Sequence, residues 1–167
     1  MAAIQWLEAR VPGFRDLPRA DRDALSQFLL LWSYFEASVL ATKGSAKAIE
    51  KQVRQCELEG RLRPEQFRTS LEYFRARYFP GGAESGHFHH LNLRPSDNPE
   101  LVRRVLGGGS DAPRDTVMAV LIVVLRFRNN LFHGLKWAYE FRAQRDNFEH
   151  ANSILMQATE QLSRHVA

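Results

Sequence analysis

The sequence predicts an all-α protein, a single-domain bundle of five or six helices. Apolar side chains recur three and four positions apart in several segments, which is the period of an amphipathic helix. The most apolar stretch, residues 117–125, has no second strand-like run to pair with, and a lone strand would leave its backbone groups unsatisfied. With 167 residues, 44% of them hydrophobic, the chain is long enough for one core and too short for two.

Residues 1–20 are expected to form an N-terminal arm, and residues 21–167 the helical bundle. Pro12, Gly13 and Pro18 interrupt any long helix in the arm. We expect its apolar side chains to lie against the bundle or a partner; they are Trp6, Leu7, Val11 and Phe14.

Three helices are predicted in the first half of the bundle. Asp21 begins the first, which ends near residues 42–44. Ser45 is a good cap for the second, which ends at Gly60, and Pro64 suits the first turn of the third, which ends near residue 79. Their apolar stripes are Leu25, Phe28, Leu29, Trp32, Phe35 and Val39, then Ile49 and Val53, then Phe67, Leu71, Phe74 and Tyr78.

The second half begins with a predicted surface loop over residues 81–98, which has no apolar period and is long enough to suggest a function. A short helix follows from Asn98 and is stopped by three glycines at 107–109. The next helix begins between Asp111 and Asp115 and contains the apolar run. The last helix is expected from Lys136 to Arg164, with apolar residues a heptad apart at Phe141, Phe148, Leu155 and Leu162.

Charge and cysteine content limit the class of protein. The chain has 23 lysines and arginines against 19 acids, a net charge of +4 that favours an anionic partner, and arginine suits nucleic acid better than a membrane surface. The single Cys56 excludes an internal disulfide and indicates a reducing, cytoplasmic location. We expect no membrane association, because no apolar run reaches the length of a membrane span and no signal peptide is visible.

A polar cluster follows the apolar run directly, and it is the candidate site. It contains Arg128, Asn129 and His133. A permanent cation and an imidazole that exchanges protons near neutral pH suit a phosphodiester. On an unbroken helix, residues five apart are turned by about 140° and separated by roughly 7.5 Å, so Arg128 and His133 would not meet at one phosphate. Either the helix is interrupted near residues 131–134, or two subunits share the pocket across a two-fold axis.

Asn129 precedes His133 by four residues, so a helix would place its amide on the same face as the imidazole. A purely structural interpretation of the cluster is also open. In it Arg128 is a charge at a helix end, His133 a cation near the carbonyl end of the helix dipole, and Asn129 a cap.

The segment 128–133, Arg-Asn-Asn-Leu-Phe-His, resembles the Arg-x4-6-His signature of the HEPN superfamily, including the polar residue that commonly follows the arginine. HEPN domains are all-helical bundles of about this size, usually dimeric, and many are metal-independent ribonucleases of toxin, abortive-infection or RNA-processing systems. Some HEPN toxins are silenced by nucleotidylation of a tyrosine two residues beyond the histidine. The corresponding residue here is Leu135, so that regulation is not expected.

The resemblance implies an endoribonuclease in which His133 acts as base or acid, Arg128 holds the phosphate and Asn129 orients the imidazole or binds an oxygen. It implies RNA as partner, a homodimer with a shared site, a possible antitoxin or regulatory partner, and no cofactor. Lys136 and Arg142 are candidates to bind the flanking RNA backbone, or alternatively form a solvated basic face. An inactive HEPN-like module that binds RNA or nucleotide, and a helical adaptor for protein interactions, are the alternative functions.

Glu36 is a supporting candidate because it falls inside the apolar stripe of the first predicted helix. A carboxylate in such a position needs a partner, so we expect Glu36 to orient Arg128 or Arg126, or to lie at the pocket rim. The alternative is an edge position in which the carboxylate reaches water.

No metal site is predicted. The loop histidines His87, His89 and His90 lack a cysteine or carboxylate at ligand spacing. The glycines at 107–109 lack the lysine and hydroxyl of a P-loop, and Cys56 has no histidine placed to activate it.

Overall fold

The computed structural model describes residues 2–132 and 143–163. Within these residues the chain forms eight α-helices, three short 3₁₀ helices and no strand, which confirms the all-α prediction. The α-helices are α1 (Ala3–Arg10), α2 (Arg19–Ser38), α3 (Ala46–Leu58), α4 (Arg68–Tyr78), α5 (Gly86–His89), α6 (Pro99–Leu106), α7 (Pro113–Phe132) and α8 (Arg145–Leu162). The 3₁₀ helices are Pro64–Phe67, Pro80–Gly82 and Pro95–Asp97.

The predicted count of five or six helices is too low, because α1 and α5 were not expected. Both are short segments without a long apolar stripe. Helix α1 lies in the expected N-terminal arm, and Arg22 of α2 donates a hydrogen bond of 2.7 Å to its Glu8. The turns after α1 bury Phe14 and Leu17, so this segment lies against the bundle.

Helix α7 forms the centre of the fold. Every side chain from Thr116 to Phe127 is buried, because α3, α4, α6 and α8 pack around this helix. A helix that is apolar on all faces is expected only where other elements surround it. The prediction of a buried helix, rather than a strand, is confirmed.

The predicted apolar stripes hold the outer helices to the core. Phe28, Trp32 and Phe35 of α2 are buried, whereas Leu29 is exposed, so its assignment to the buried stripe was wrong. Helix α8 packs along α2: the rings of Phe28 and Phe148 lie 5.2 Å apart. The predicted cap of α3 is confirmed, since the Ser45 hydroxyl accepts a hydrogen bond from the Ala48 backbone N–H at 3.2 Å.

The last helix is shorter than predicted. It begins at Arg145 rather than Lys136. Ala143 has a φ of 62°, and a residue in this left-handed region cannot continue a right-handed helix. Residues 133–142, including Phe141, lie outside the described part of the chain.

The segment 81–98 is not the irregular surface loop that we predicted. It contains α5 and a 3₁₀ helix, and it buries Phe88, Leu91 and Asp97. Its two apolar anchors, Phe88 and Leu91, are three residues apart, and a single pair in and just after a helix of four residues is too short to be recognised as a periodic pattern.

Polar side chains of α7 hold this segment in place. Arg126, which is only 2% exposed, donates from Nε to the Leu91 carbonyl at 3.0 Å, and its Nη1 lies 3.3 Å from Asp97 Oδ2. The fully buried Asn130 donates to the carbonyls of His90 and Leu91 at 3.0 and 3.2 Å. Burial lowers the pKa of Arg126, and the Asp97 carboxylate opposes this effect. The guanidinium stays charged, because arginine is not deprotonated in proteins.

Replacing Asp97 with alanine leaves the Arg126 cation buried without its counter-ion. We expect Asp97→Ala to lower the free energy of unfolding by about 3–5 kcal/mol, measured by urea denaturation. Glu100→Ala is the matched control, because its ion pair with Arg103 is exposed and its loss costs less than about 1 kcal/mol. Equal effects of the two substitutions would contradict a structural role for the buried pair.

A second polar contact joins α4 to α8. His150 Nδ1 lies 3.0 Å from the buried Ser70 hydroxyl, and the imidazole stacks on Tyr73 with ring centroids 4.1 Å apart. Burial lowers the pKa of His150 below its ordinary value of 6.5, although Asp146 and Glu149 oppose this shift. The folded protein therefore favours the neutral imidazole.

This shift gives the stability a specific pH dependence. Because the unfolded state binds the His150 proton more readily, stability conferred by the neutral ring is present above pH 6.5 and is lost as the pH falls below it. We expect the urea midpoint of His150→Gln to change less between pH 7 and about pH 5 than the midpoint of wild type does. Parallel curves for the two proteins would contradict the assignment.

Candidate functional site

The polar residues at the carboxyl end of α7 divide between two sides of the helix. Arg126 and Arg128 are two positions apart, which turns them by about 160° from each other. Arg126 faces the segment 81–98, as described above, whereas Arg128 faces α2. The helix therefore separates a buried arginine from one that solvent reaches.

Arg128 belongs to a group that we call the Arg128 cluster: Trp32, Glu36, Arg128, Asn129 and Phe132. The guanidinium carbon lies 6.0 Å from the Trp32 ring centroid and 5.0 Å from that of Phe132. Nη1 donates a hydrogen bond of 2.9 Å to Asn129 Oδ1. The Arg128 side chain is 30% exposed, so it is held by aromatic rings and remains accessible to a ligand.

Glu36 lies beside Arg128 and not beside Arg126, which pairs with Asp97. Its Oε1 is 3.9 Å from Arg128 Nη2, and its Oε2 accepts a hydrogen bond of 3.2 Å from Trp32 Nε1. The Glu36 side chain is 22% exposed and is therefore at the rim of the cluster. A contact of 3.9 Å is too long for a hydrogen bond, so this ion pair is loose.

The Arg128 guanidinium consequently keeps unused hydrogen-bonding capacity. It has five N–H donors. One donates to Asn129, and the buried Nε has no acceptor among the described residues. An anion that displaced the Glu36 carboxylate would meet the free donors of Nη2, whereas the Nε donor is buried.

Gly44 fixes the position of the Glu36 carboxylate. A Cβ atom at residue 44 would lie 2.2 Å from Glu36 Oε1 and 3.3 Å from Trp32 Cζ2. The backbone of the turn after α2 therefore closes over the carboxylate, and a side chain at residue 44 would require the end of the Glu36 side chain to move.

The other predicted site residues, His133, Lys136 and Arg142, lie outside the described residues. The meeting of Arg128 with His133 therefore stays a prediction. Helix α7 continues through Leu131 and Phe132, so the expected interruption does not fall on these two residues. Asn129, which we expected beside the imidazole, contacts Arg128.

Sequence analysis missed two contacts in the cluster. The Trp32–Glu36 hydrogen bond and the Arg128–Phe132 contact both join residues four apart on one helix. This spacing was visible in the sequence, since residues four apart share a helix face. Phe132 is 64% exposed, which is unusual for a phenylalanine, and its contact with Arg128 follows from that spacing.

The described residues contain no group of three or more histidine, cysteine, aspartate or glutamate side chains placed to hold a metal ion. His89 Nε2 lies 3.6 Å from Glu84 Oε1 on the surface. Cys56 is buried against the Gln161 carbonyl, and burial raises the pKa of its thiol, which disfavours the reactive thiolate. No helix in the described part of the chain is both long enough and apolar enough to span a membrane.

Gly44→Ala tests the geometry of the cluster. We expect the new methyl group to push the Glu36 carboxylate away from Trp32 and Arg128, with little loss of stability because only a side-chain end must move. The measurement is the indole N–H signal of Trp32 in a ¹⁵N-resolved NMR spectrum, assigned with Trp32→Phe. Glu36→Gln keeps a side-chain acceptor for the indole and serves as control. An unchanged Trp32 signal in Gly44→Ala would contradict the described packing.

Comparisons with protein-family models, with curated proteins and with solved structures find no match for this chain. The resemblance to the HEPN superfamily thus remains a prediction from the motif at residues 128–133.

Proposed function

We propose that this chain is a metal-independent endoribonuclease of the HEPN type that acts as a homodimer in the cytoplasm. The observation that supports this proposal most directly is the environment of the Arg128 side chain. Its guanidinium is positioned by Trp32 and Phe132, is partly exposed, and is balanced by a carboxylate 3.9 Å away. Such an arginine can exchange a loose counter-ion for a phosphodiester.

The proposed reaction is attack by the RNA 2′-hydroxyl on the adjacent phosphorus. A base takes the 2′-hydroxyl proton, the 2′ oxygen bonds to phosphorus, and the bond from phosphorus to the 5′ oxygen breaks. The leaving oxygen takes a proton, so the products are a 2′,3′-cyclic phosphate and a 5′-hydroxyl. His133 serves as base or acid, and Arg128 stabilises the charge that develops on the phosphoryl oxygens.

The remaining residues have supporting roles in this proposal. Asn129, which holds Arg128 Nη1 at 2.9 Å, fixes the guanidinium or binds a phosphoryl oxygen. Glu36 holds the Arg128 guanidinium in place until a phosphate of the substrate displaces the Glu36 carboxylate. Lys136 and Arg142 bind the flanking backbone. On a continuous helix, residues five apart point in directions about 140° apart, so His133 would not reach Arg128 of the same subunit. In that case His133 of a two-fold related subunit completes the site.

The proposed biological setting is a toxin or abortive-infection effector with an antitoxin or other regulatory partner. Leu135 replaces the tyrosine that some HEPN toxins carry, so control by nucleotidylation of that position is not part of the proposal. The alternative of an inactive RNA-binding module predicts affinity for RNA without cleavage. The alternative of a helical adaptor predicts neither affinity for RNA nor cleavage.

Purified wild type is expected to cleave mixed RNA in the presence of EDTA and to leave 2′,3′-cyclic phosphate ends. Arg128→Ala and His133→Ala should each lower the rate by about 100-fold or more, because each removes a group that acts on the transition state. Arg68→Ala, a change at an exposed arginine of α4, is the control and should retain full activity. Cleavage that persists undiminished in both site variants would refute the site.

A further inference from the structure

The exposed side of α3 carries an unusual concentration of lysine. The chain has four lysines, and three of them are Lys43, Lys47 and Lys51. Arg54 follows three residues later, so residues 47, 51 and 54 share one side of the helix, and Lys43 lies in the turn before it. We call these four exposed cations the α3 basic face.

The cations of the α3 basic face lack counter-ions within the part of the chain that the structure describes. None of the four forms an ion pair with a carboxylate of the described residues. Several other arginines form such pairs, namely Arg19 with Asp23, Arg103 with Glu84 and Glu100, Arg104 with Asp115, and Arg145 with Glu149. The exposed Arg15 and Arg68 form no such pair with a described residue either, but they do not line the same groove as the α3 cations. The basic face is therefore available to an external anion.

The basic face lines a concave surface. Its four cations lie among the residues that line an open groove of about 920 Å³, all of them between Leu40 and Leu58, and Glu50 is the only acidic residue of that lining. Four positive charges against one negative charge produce a positive potential in a groove, where the field is stronger than on a convex surface. A polyanion complements this shape and charge.

The groove begins where the Arg128 cluster ends. Lys43 and Ser45 line the groove, and Gly44 between them lies against Glu36, the carboxylate that faces Arg128. The Thr42 backbone N–H also donates to the Glu36 carbonyl at 2.9 Å. The turn at Gly44 therefore places the α3 basic face next to the Arg128 cluster, with the Glu36 carboxylate between them.

We propose that the α3 basic face binds the backbone of the RNA strand that enters the Arg128 cluster; the choice of RNA rests on the proposed function. Lys47 and Arg54 are about 10 Å apart along the helix axis, which matches roughly three stacked nucleotides. Lysine is a hydrated point charge on a flexible stem, so it suits contacts with the backbone that do not depend on base sequence.

The test measures binding to a single-stranded 2′-O-methyl RNA, which cannot be cleaved, over a range of salt concentrations. Each lost phosphate contact lowers the slope of log affinity against log salt by about 0.7 for a single strand. Lys47→Gln/Lys51→Gln should therefore reduce the slope by about 1.4 and weaken binding roughly tenfold or more at low salt. Circular dichroism checks that the variants keep their helices.

The matched control removes two charges elsewhere. Arg15→Gln/Arg68→Gln changes two exposed arginines outside the groove and should keep a slope within about 0.7 of wild type. Three results would overturn the inference: no RNA binding by wild type, equal slopes for the lysine variant and wild type, or equal losses in the lysine variant and the control. Lysine-dependent binding to phosphatidylserine vesicles without binding to RNA would overturn it as well.

The same proteins separate this inference from the proposed function. Cleavage by wild type with an unchanged slope in the lysine variant would reject the α3 basic face and leave the ribonuclease proposal intact. Lysine-dependent binding without any cleavage in EDTA would support the basic face and reject the ribonuclease proposal.

Discussion

The burial of α7 on all sides is the constraint on which the rest of the structure depends. A helix surrounded by other elements can carry polar side chains only where partners satisfy them or where it reaches the surface. Both situations, a polar side chain with buried partners and one that reaches the surface, occur within five residues at the carboxyl end of α7. Arg126 and Asn130 satisfy the carbonyls of the segment 81–98, and Arg128 emerges beside α2.

The two arginines therefore differ in what they can do. Arg126 is fully enclosed, close to its carboxylate and bonded to a backbone carbonyl, so displacing its partners would expose the core. Arg128 has a more distant counter-ion and contact with solvent. Each of the two arginines keeps one buried nitrogen without an acceptor among the described residues, Nη1 in Arg126 and Nε in Arg128. The first arginine maintains the fold that positions the second. Only the second has the accessibility that substrate binding requires.

Much of the fold could be predicted from the sequence, because amphipathic and fully apolar helices leave clear periodic patterns. The buried state of α7 and the Ser45 cap follow from local rules. Helices α1 and α5 could not be predicted in this way, since each is short and depends on contacts with distant residues. The left-handed Ala143 was also beyond local rules, because alanine favours helix.

For the candidate site, the sequence predicted that Glu36 orients Arg128 or Arg126 or lies at the pocket rim, and the structure places it beside Arg128 at the rim of the cluster. The sequence did not distinguish the roles of Arg126 and Arg128, because only the packing around α7 decides which of the two is buried. From the sequence we assigned no role to the lysines of α3. Their significance depends on the turn at Gly44, which brings that face to the cluster.

The most direct measurement is a crystal structure of the protein with a short 2′-O-methyl RNA. Our account predicts one phosphate within hydrogen-bond distance of both the Arg128 guanidinium and a His133 imidazole, from the same subunit or from a two-fold related copy. Arg128 and His133 facing separate regions of solvent, with no shared phosphate in any assembly, would contradict it.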